Sequence, residues 1–310
     1  MKRLLSLIIS AIIALGISAQ KCSVPIAIAF KKEAQPIPES SQRAVAAKLR
    51  QVLSANGVSG SAGLQTFGLV PSFEILDKSV TPGPPKQIAC KLLLSLNILN
   101  LEDGVVFASY STELNGAATS EIVAIMDAVK RLAPKNNELS AFVNQGHERI
   151  IKYYNSKAET TLAKADMLTR TRKYDEALAL LMSIPECTSG YKAAIKKMGD
   201  VWQARINVEG MKLLAEAQTI WKSRTDSESA IEAAKLLAQI DPESTSYKDA
   251  GKLMNEIKEK AEANTPWDFS MKVYEDSINL EEQRLNAAKE VAIAYAENQQ
   301  ESNTTYTIMK

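Results

Sequence analysis

Histidine occurs once in the 310 residues, as His147, and cysteine three times, as Cys22, Cys90 and Cys187. A structural zinc site draws on about four Cys or His ligands at close spacing, and an activated Ser or Cys nucleophile needs an adjacent base. His147 stands in a helical run beside Glu148 and Arg149, with no Cys or second His at ligand spacing. Catalytic, cofactor-binding and metal residues are therefore expected to be none, with no cofactor, and the chain is expected not to be an enzyme. No cysteine pair has C-x-x-C spacing and three thiols cannot all pair within one chain, so no disulfide framework is expected. Cys90 reads as a small buried hydrophobe. An excess of one charge is also missing: Lys and Arg number 37 against 36 Asp and Glu, and losing Lys2 and Arg3 with a leader gives a net charge of about −1. Without a basic field there is nothing to neutralise phosphates, so no nucleic-acid partner is expected.

Long apolar runs are absent apart from one at the N-terminus. Lys2 and Arg3, an apolar stretch from Leu4 to Ile17 and the small pair Ser18-Ala19 make the three-part pattern of a secretory signal. Cleavage after Ala19 would leave Gln20 first. The competing reading, a retained anchor, meets a run shorter than the roughly 20 residues that span a bilayer and interrupted by Ser6, Ser10 and Gly16. The chain is thus expected to be exported and periplasmic or envelope-associated, with no integral span after cleavage and peripheral membrane association left open. Ala19, Gln20 and Lys21 precede Cys22, which departs from the Leu-small-small-Cys pattern of a lipidated cysteine, so lipidation is not expected.

Proline usage divides the rest. Seven of the eleven prolines precede residue 86, whereas Pro134, Pro185, Pro242 and Pro266 stand alone between long helical runs, where the ring and missing N–H stop a helix. The division predicts a signal peptide at 1–19, an α/β domain at 20–136, a helical repeat domain at 137–300 and a disordered tail at 301–310. The fold class expected is α+β: a small, mostly antiparallel sheet with helices on one face, followed by an all-α tetratricopeptide-like repeat domain.

In the first part Val24 to Phe30 reads as a strand, and Ser40 or Ser41 as the cap of a helix carrying Val45, Leu49, Val52 and Leu53. After glycines 57, 60 and 63, Leu64–Val70 and Phe73–Val80 read as strand segments broken at Pro71. Ile88, Cys90, Leu92, Leu94, Leu96 and Ile98 alternate strictly with Lys91, Ser95 and Asn97 among the intervening residues, so one face is buried and the other wetter. Glu102-Asp103-Gly104 supplies a turn, and Val106 to Leu114 returns as the antiparallel partner. A helix from about Ser120 to Leu132 closes the order β, α, β, β, β, α. With the phrases Val105-Val106-Phe107-Ala108-Ser109 and Asn115-Gly116, residues 24–150 resemble the α/β modules of curli-secretion and penicillin-binding-protein-activator lipoproteins and of the TolB N-terminal domain. That resemblance implies an envelope-assembly module; the missing lipidation pattern departs from those families' membrane attachment.

From Asn137 the period becomes helical: Leu139, Phe142, Val143, Ile150, Tyr153 and Tyr154 share a stripe. One helix to about Arg172, or two with a kink near Asn155-Ser156, both fit. Residues 176–198 then realign at constant offset with 232–254: Ala177, Leu181, Ile184, Tyr191, Ala194 and Met198 meet Ala233, Leu237, Ile240, Tyr247, Ala250 and Met254. Such a duplication predicts two helix–loop–helix units, each second helix begun by Ser/Thr caps, that bury each other's apolar stripes. Tyr174-Asp175-Glu176-Ala177-Leu178, with Ala165 and Leu168, resembles the helix pair of a tetratricopeptide repeat, and residues 156–263 are similar to such repeats overall, although this unit is longer than about 34 residues. After Pro266, Trp267 to about Asn298 reads as a last amphipathic helix capping the stack.

Other motifs dissolve on inspection. The stretch from Gly57 to Gly63, including Ser59 and Ser61, lacks the Gly-Lys-Ser/Thr ending of a phosphate loop. Ser189-x-x-Lys192 lacks the companion motifs of penicillin-recognising enzymes, and Asp175-Glu176 and Glu281-Glu282 fit helix starts or charged faces. Trp202, Trp221 and Trp267 all belong to the helical half; Trp202 and Trp221 could line a groove for a peptide or glycan, with core packing at helical spacing the favoured reading, and Asn303-Thr304-Thr305 is a formal glycan acceptor without consequence in bacterial-type export. What remains is an exported, noncatalytic adaptor or scaffold binding a protein partner in the cell envelope through its helical repeats. The alternative is a small-ligand or glycan-binding protein using an interdomain cleft, and a hydrolase ranks last.

Overall fold

The computed structural model describes residues 24–33, 37–58, 65–261, 269–271, 280–301 and 305–309. Among them run β1 (Ala27–Lys31), α1 (Glu39–Ala55), β2 (Phe67–Thr81), β3 (Gln87–Asn100), β4 (Val106–Ala118), α2 (Glu121–Lys130) and α3 (Asn137–Arg170). They are followed by α4 (Tyr174–Met182), α5 (Tyr191–Ser223), α6 (Ser227–Leu237), α7 (Tyr247–Lys260), α8 (Leu280–Glu301) and β5 (Tyr306–Met309). The result is an α+β structure with a five-stranded mixed sheet in the order β4-β3-β2-β1-β5.

The alternating run becomes β3, with Leu92, Leu94, Leu96 and Ile98 fully buried. Its other face pairs polar groups across the ladder: Ser95 and Ser111 hydroxyls 2.8 Å apart, Ser109 donating to Asn97 at 2.7 Å, and Lys91 against Glu113 at 2.8 Å. β4 returns antiparallel with Leu92 opposite Leu114. In the turn, Gly104 adopts φ +72, which glycine enters without a Cβ penalty. The expected break at Pro71 does not occur, and β2 runs through it opposite Leu96. Since β1 joins β2 in parallel at Ala27↔Gly68 and Ile28↔Leu69, Pro71 lies beyond that shared ladder, where a missing N–H is tolerated. α1 starts two residues earlier than a Ser40 cap would place it, with Pro38 at the N-cap position.

α3 is one helix of 34 residues without a break at Asn155, about 50 Å long. Asn136 opens it, its Oδ1 accepting the Leu139 N–H at 2.7 Å. Its first half packs on the sheet: Phe67 meets Phe107 and Tyr154 edge-on, with ring centroids 5.9 and 5.5 Å apart, and Phe107 meets Tyr153 at 5.5 Å. Gly146 fits over Ile98, where a Cβ would come within 2.6 Å of the Ile98 Cδ1. One hydrophobic core therefore extends from β1 through α3 to Val201 of α5, continuous across residue 136. Among the described residues the first helical unit shares the core of the sheet, while the second has a core of its own, centred on Trp221, Leu237, Ile240 and Ile257.

The two realigned segments fold alike. Ile184 and Ile240 N–H groups bond to Leu181 and Leu237 carbonyls at 3.3 and 3.1 Å, and Tyr191 and Tyr247 N–H groups to Thr188 and Ser244 carbonyls at 3.2 and 3.0 Å. Ala177, Leu181, Ile184, Ala194 and Met198 are buried, as are their counterparts. α5 serves both units, beginning as the last helix of the first and ending as the first helix of the second. The expected Ser/Thr caps are replaced: neither α5 nor α7 has a side-chain cap. Instead an asparagine of the preceding long helix holds each loop, Asn155 accepting from Ser189 N–H at 2.8 Å and Asn207 from Thr245 N–H at 3.0 Å.

Three expectations about the termini change. Phe269 to Met271 are not helical, and Phe269 and Met271 pack on the second core. The last helix starts at Leu280 among the described residues and packs along α4 and α5 rather than capping the stack. The tail contains β5, antiparallel to β1 with Ala29↔Ile308 and Phe30↔Thr307; Tyr306 and Ile308 cover Ala29, Val70, Leu99 and Leu101 on the back of the sheet. That apolar patch gives residues 305–309 a reason to order that their own polarity does not reveal. Cys90 is free and buried, as its place on the apolar side of the strand implied, whereas Cys187 is disulfide-bonded. The N-terminal signal, Cys22 and Trp267 lie outside the described residues. No described helix is long and apolar enough to cross a membrane.

Candidate functional site

A well-lined concavity lies where the β3–β4 turn, the end of α3, α4 and the end of α8 converge. Asn100 Oδ1 accepts the Glu102 N–H at 2.9 Å and Asp103 Oδ1 the Val105 N–H at 3.0 Å, which fixes the turn and holds Glu102 over the helices. Helical spacing then does the rest. Lys164 and Leu168 are four apart on α3; Glu176, Ala179 and Leu180 share one face of α4, with Ser183 just past its end; Tyr295, Ala296 and Gln299 share one face of α8. These groups line a cleft of about 380 Å³, and a side pocket of about 50 Å³ continues past Glu102 to Gln65, Tyr306 and Ile308.

Glu102 is exposed as a whole residue, but partial desolvation of its carboxyl against the cleft pushes it above the usual range, with Asp103 adding to the rise and Lys164 opposing it. Behind the cleft Tyr154 is buried, and that burial, reinforced by Glu102 and Asp103, drives its phenol well upward. Glu176 is drawn aside by Lys173 at 3.0 Å, and Ser183 Oγ donates to the Leu180 carbonyl at 2.8 Å. The arrangement combines an apolar floor with a carboxyl, an amine, a phenol and an amide at the rim, a set suited to holding a polar molecule by hydrogen bonds. Because the folded state raises the Glu102 pKa, stability falls as pH rises from about 4.3, the free glutamate value, through the folded value. Glu102→Gln should therefore be more stable than wild type at pH 7 and indistinguishable from it at pH 3, read from urea midpoints at each pH; equal midpoints at both would show that Glu102 is fully solvated.

Residues singled out from sequence fall elsewhere. His147 sits half-buried on α3, and among the described residues no group of three His, Cys, Asp or Glu can hold a metal ion. Ser189 bonds to Asn155 through both its N–H and its hydroxyl, at 2.8 and 3.1 Å, while Lys192 is exposed, so the Ser-x-x-Lys spacing serves the loop. Asp175 pairs with Arg205 at 3.4 Å and Glu282 is exposed. Trp221 is core, and Trp202 is half-buried beneath the Arg205 guanidinium, 5.3 Å from its ring. Ser59 and Ser61 lie outside the described residues. Glu102, Lys164, Tyr295 and Gln299 had no motif to announce them, because three elements distant in sequence bring them together.

One more contact ties distant elements together. Glu243, the counterpart of Cys187 in the second unit, receives a two-pronged bond from Arg284 of α8, Nε to Oε2 at 2.9 Å and Nη2 to Oε1 at 2.7 Å. The realignment of 176–198 with 232–254 already pairs Cys187 with Glu243, but only the structure shows that each of these loop positions carries a tether. The chain matches no protein-family model, and no curated protein or solved structure was found to be similar to it.

Proposed function

We propose that this is an exported, noncatalytic adaptor of the cell envelope, whose tetratricopeptide-like helical part binds a protein partner while the α/β part docks to an assembly. The observation that carries this reading is the pair of matched helix–loop–helix units joined through α5, since a rigid array of such hairpins offers an extended binding surface. A disulfide at Cys187 supports an oxidising compartment and hence export. The element order β1-α1-β2-β3-β4-α2 supports the likeness to curli-secretion and related envelope modules. Two measurements test the reading. N-terminal sequencing of the chain expressed with its own leader should find Gln20 first, in the periplasmic fraction. A photo-crosslinker at exposed Met211 of α5 or exposed Lys235 of α6 should capture one stoichiometric envelope protein; an unprocessed chain in the cytosol, or no such product from either site, overturns it.

The second reading, a small-ligand or glycan-binding protein, is favoured by the cleft at Glu102 and Lys164. A glycan fragment at about 100 times its Kd should raise the Tm by several degrees, and the shift should vanish in Gln299→Ala; no shift with any envelope glycan fragment removes this reading.

A further inference from the structure

The groove along α4 and α5, bounded by the loop of the second unit, is filled by the chain's own α8, and it is filled poorly. α8 buries Ala288, Ala292 and Ala296, with Leu285 and Val291 only half-buried. Beside Ala296 the cleft of about 380 Å³ remains, floored by Leu168 and Leu180. A methyl group cannot reach that floor, so dispersion contacts are forgone there. What aligns α8 is charge: the Glu243 side chain is only 8% exposed and is matched by Arg284, one turn before the alanines.

We propose that this groove is the docking site for a partner helix, with α8 as an underfitting internal surrogate. The partner carries a basic residue for Glu243 and, three turns later, a large aliphatic residue that fills the space over Leu168 and Leu180. Charge complementarity at Glu243 and the unfilled floor specify that occupant, by the helix-in-groove mode in which apolar anchors recur at helical spacing. The inference rests on the adaptor reading and names the chemistry of its partner. An internal occupant lowers the apparent affinity for any competitor by the fraction of time it leaves the groove free.

The test uses the full chain and two synthetic peptides spanning residues 280–301, one of native sequence and one carrying Ala296→Leu. Arg284→Glu in the chain should speed hydrogen exchange in α8 relative to α3 and expose the groove. The Ala296→Leu peptide should bind that variant about tenfold or more tightly than the native peptide, because the added carbons leave water, and should bind the wild-type chain at least tenfold more weakly. Placed in the chain itself, Ala296→Leu should raise the Tm. Equal affinities for the two peptides, a lowered Tm for Ala296→Leu, or α8 exchanging as slowly as α3 in Arg284→Glu would each overturn the proposal. If Arg284→Glu does not fold, Arg284→Gln removes the same pair without placing two carboxylates together. These readouts need no envelope protein, so they succeed or fail separately from the crosslinking that tests the adaptor reading.

Discussion

Replacing Phe67 with alanine is expected to destabilise the protein by about 3–5 kcal/mol, the usual range for deleting a buried aromatic ring, and to do so in both the sheet and the helices at once. Phe67 stands on β2 but makes edge contacts with Phe107 of β4 and with Tyr154 of α3, so its ring joins the strands to the long helix. Two probes decide the matter: near-ultraviolet circular dichroism for the aromatic cluster and Trp202 fluorescence for the first helical unit. Both should move to the same lower urea midpoint. If the Trp202 transition stays where it is in the wild type, the sheet and the helices are separate folding units and the continuous core described above is not cooperative.

A second large effect is expected at Gly116. This residue of β4 lies directly beneath α2, where a Cβ would strike the Ala124 carbonyl oxygen and approach the Ala128 N and Cβ to 2.5 and 2.9 Å. Two of those atoms are backbone, which no rotamer change can move aside. Gly116→Val should thus force α2 away from the sheet and cost about 3 kcal/mol or more, at the upper end of overpacking effects. Gly199, in α5, is the control: nothing lies within 4 Å of its Cβ position, and Gly199→Ala should stabilise by roughly 0.5–1 kcal/mol, since alanine loses less conformational entropy in a helix. A Gly116→Val chain with a wild-type Tm would mean that α2 is not seated as described.

Much of the architecture was legible because local pattern and tertiary need coincided. The period-2 run of β3 and the turn at Gly104 could be read directly, since a half-buried hairpin writes its two faces into alternate residues. The duplication was legible for a related reason: residues that bury each other in one unit recur in the next, and Ala177 with Leu181 and Ala233 with Leu237 occupy the same places in both. The Ser/Thr caps were misread because the donors at those loops are satisfied by Asn155 and Asn207, side chains some 34 and 38 residues distant. No local window contains that partner.

Composition and periodicity by themselves determined the α+β class, the β3–β4 hairpin, the continuous helical stripe from Asn137 and the matching of the two units, because each depends on side chains within a few turns or strands of one another. Only the tertiary structure decided that α3 belongs to the sheet as well as to the helices, that Tyr306 to Met309 form a strand on β1, and that Glu102, Lys164 and Gln299 share one cleft. The physical reason is that these depend on surfaces created elsewhere: a short polar tail becomes a strand when an exposed edge and an apolar patch await it, and a helix bearing alanines lies down where a distant glutamate pairs with its arginine.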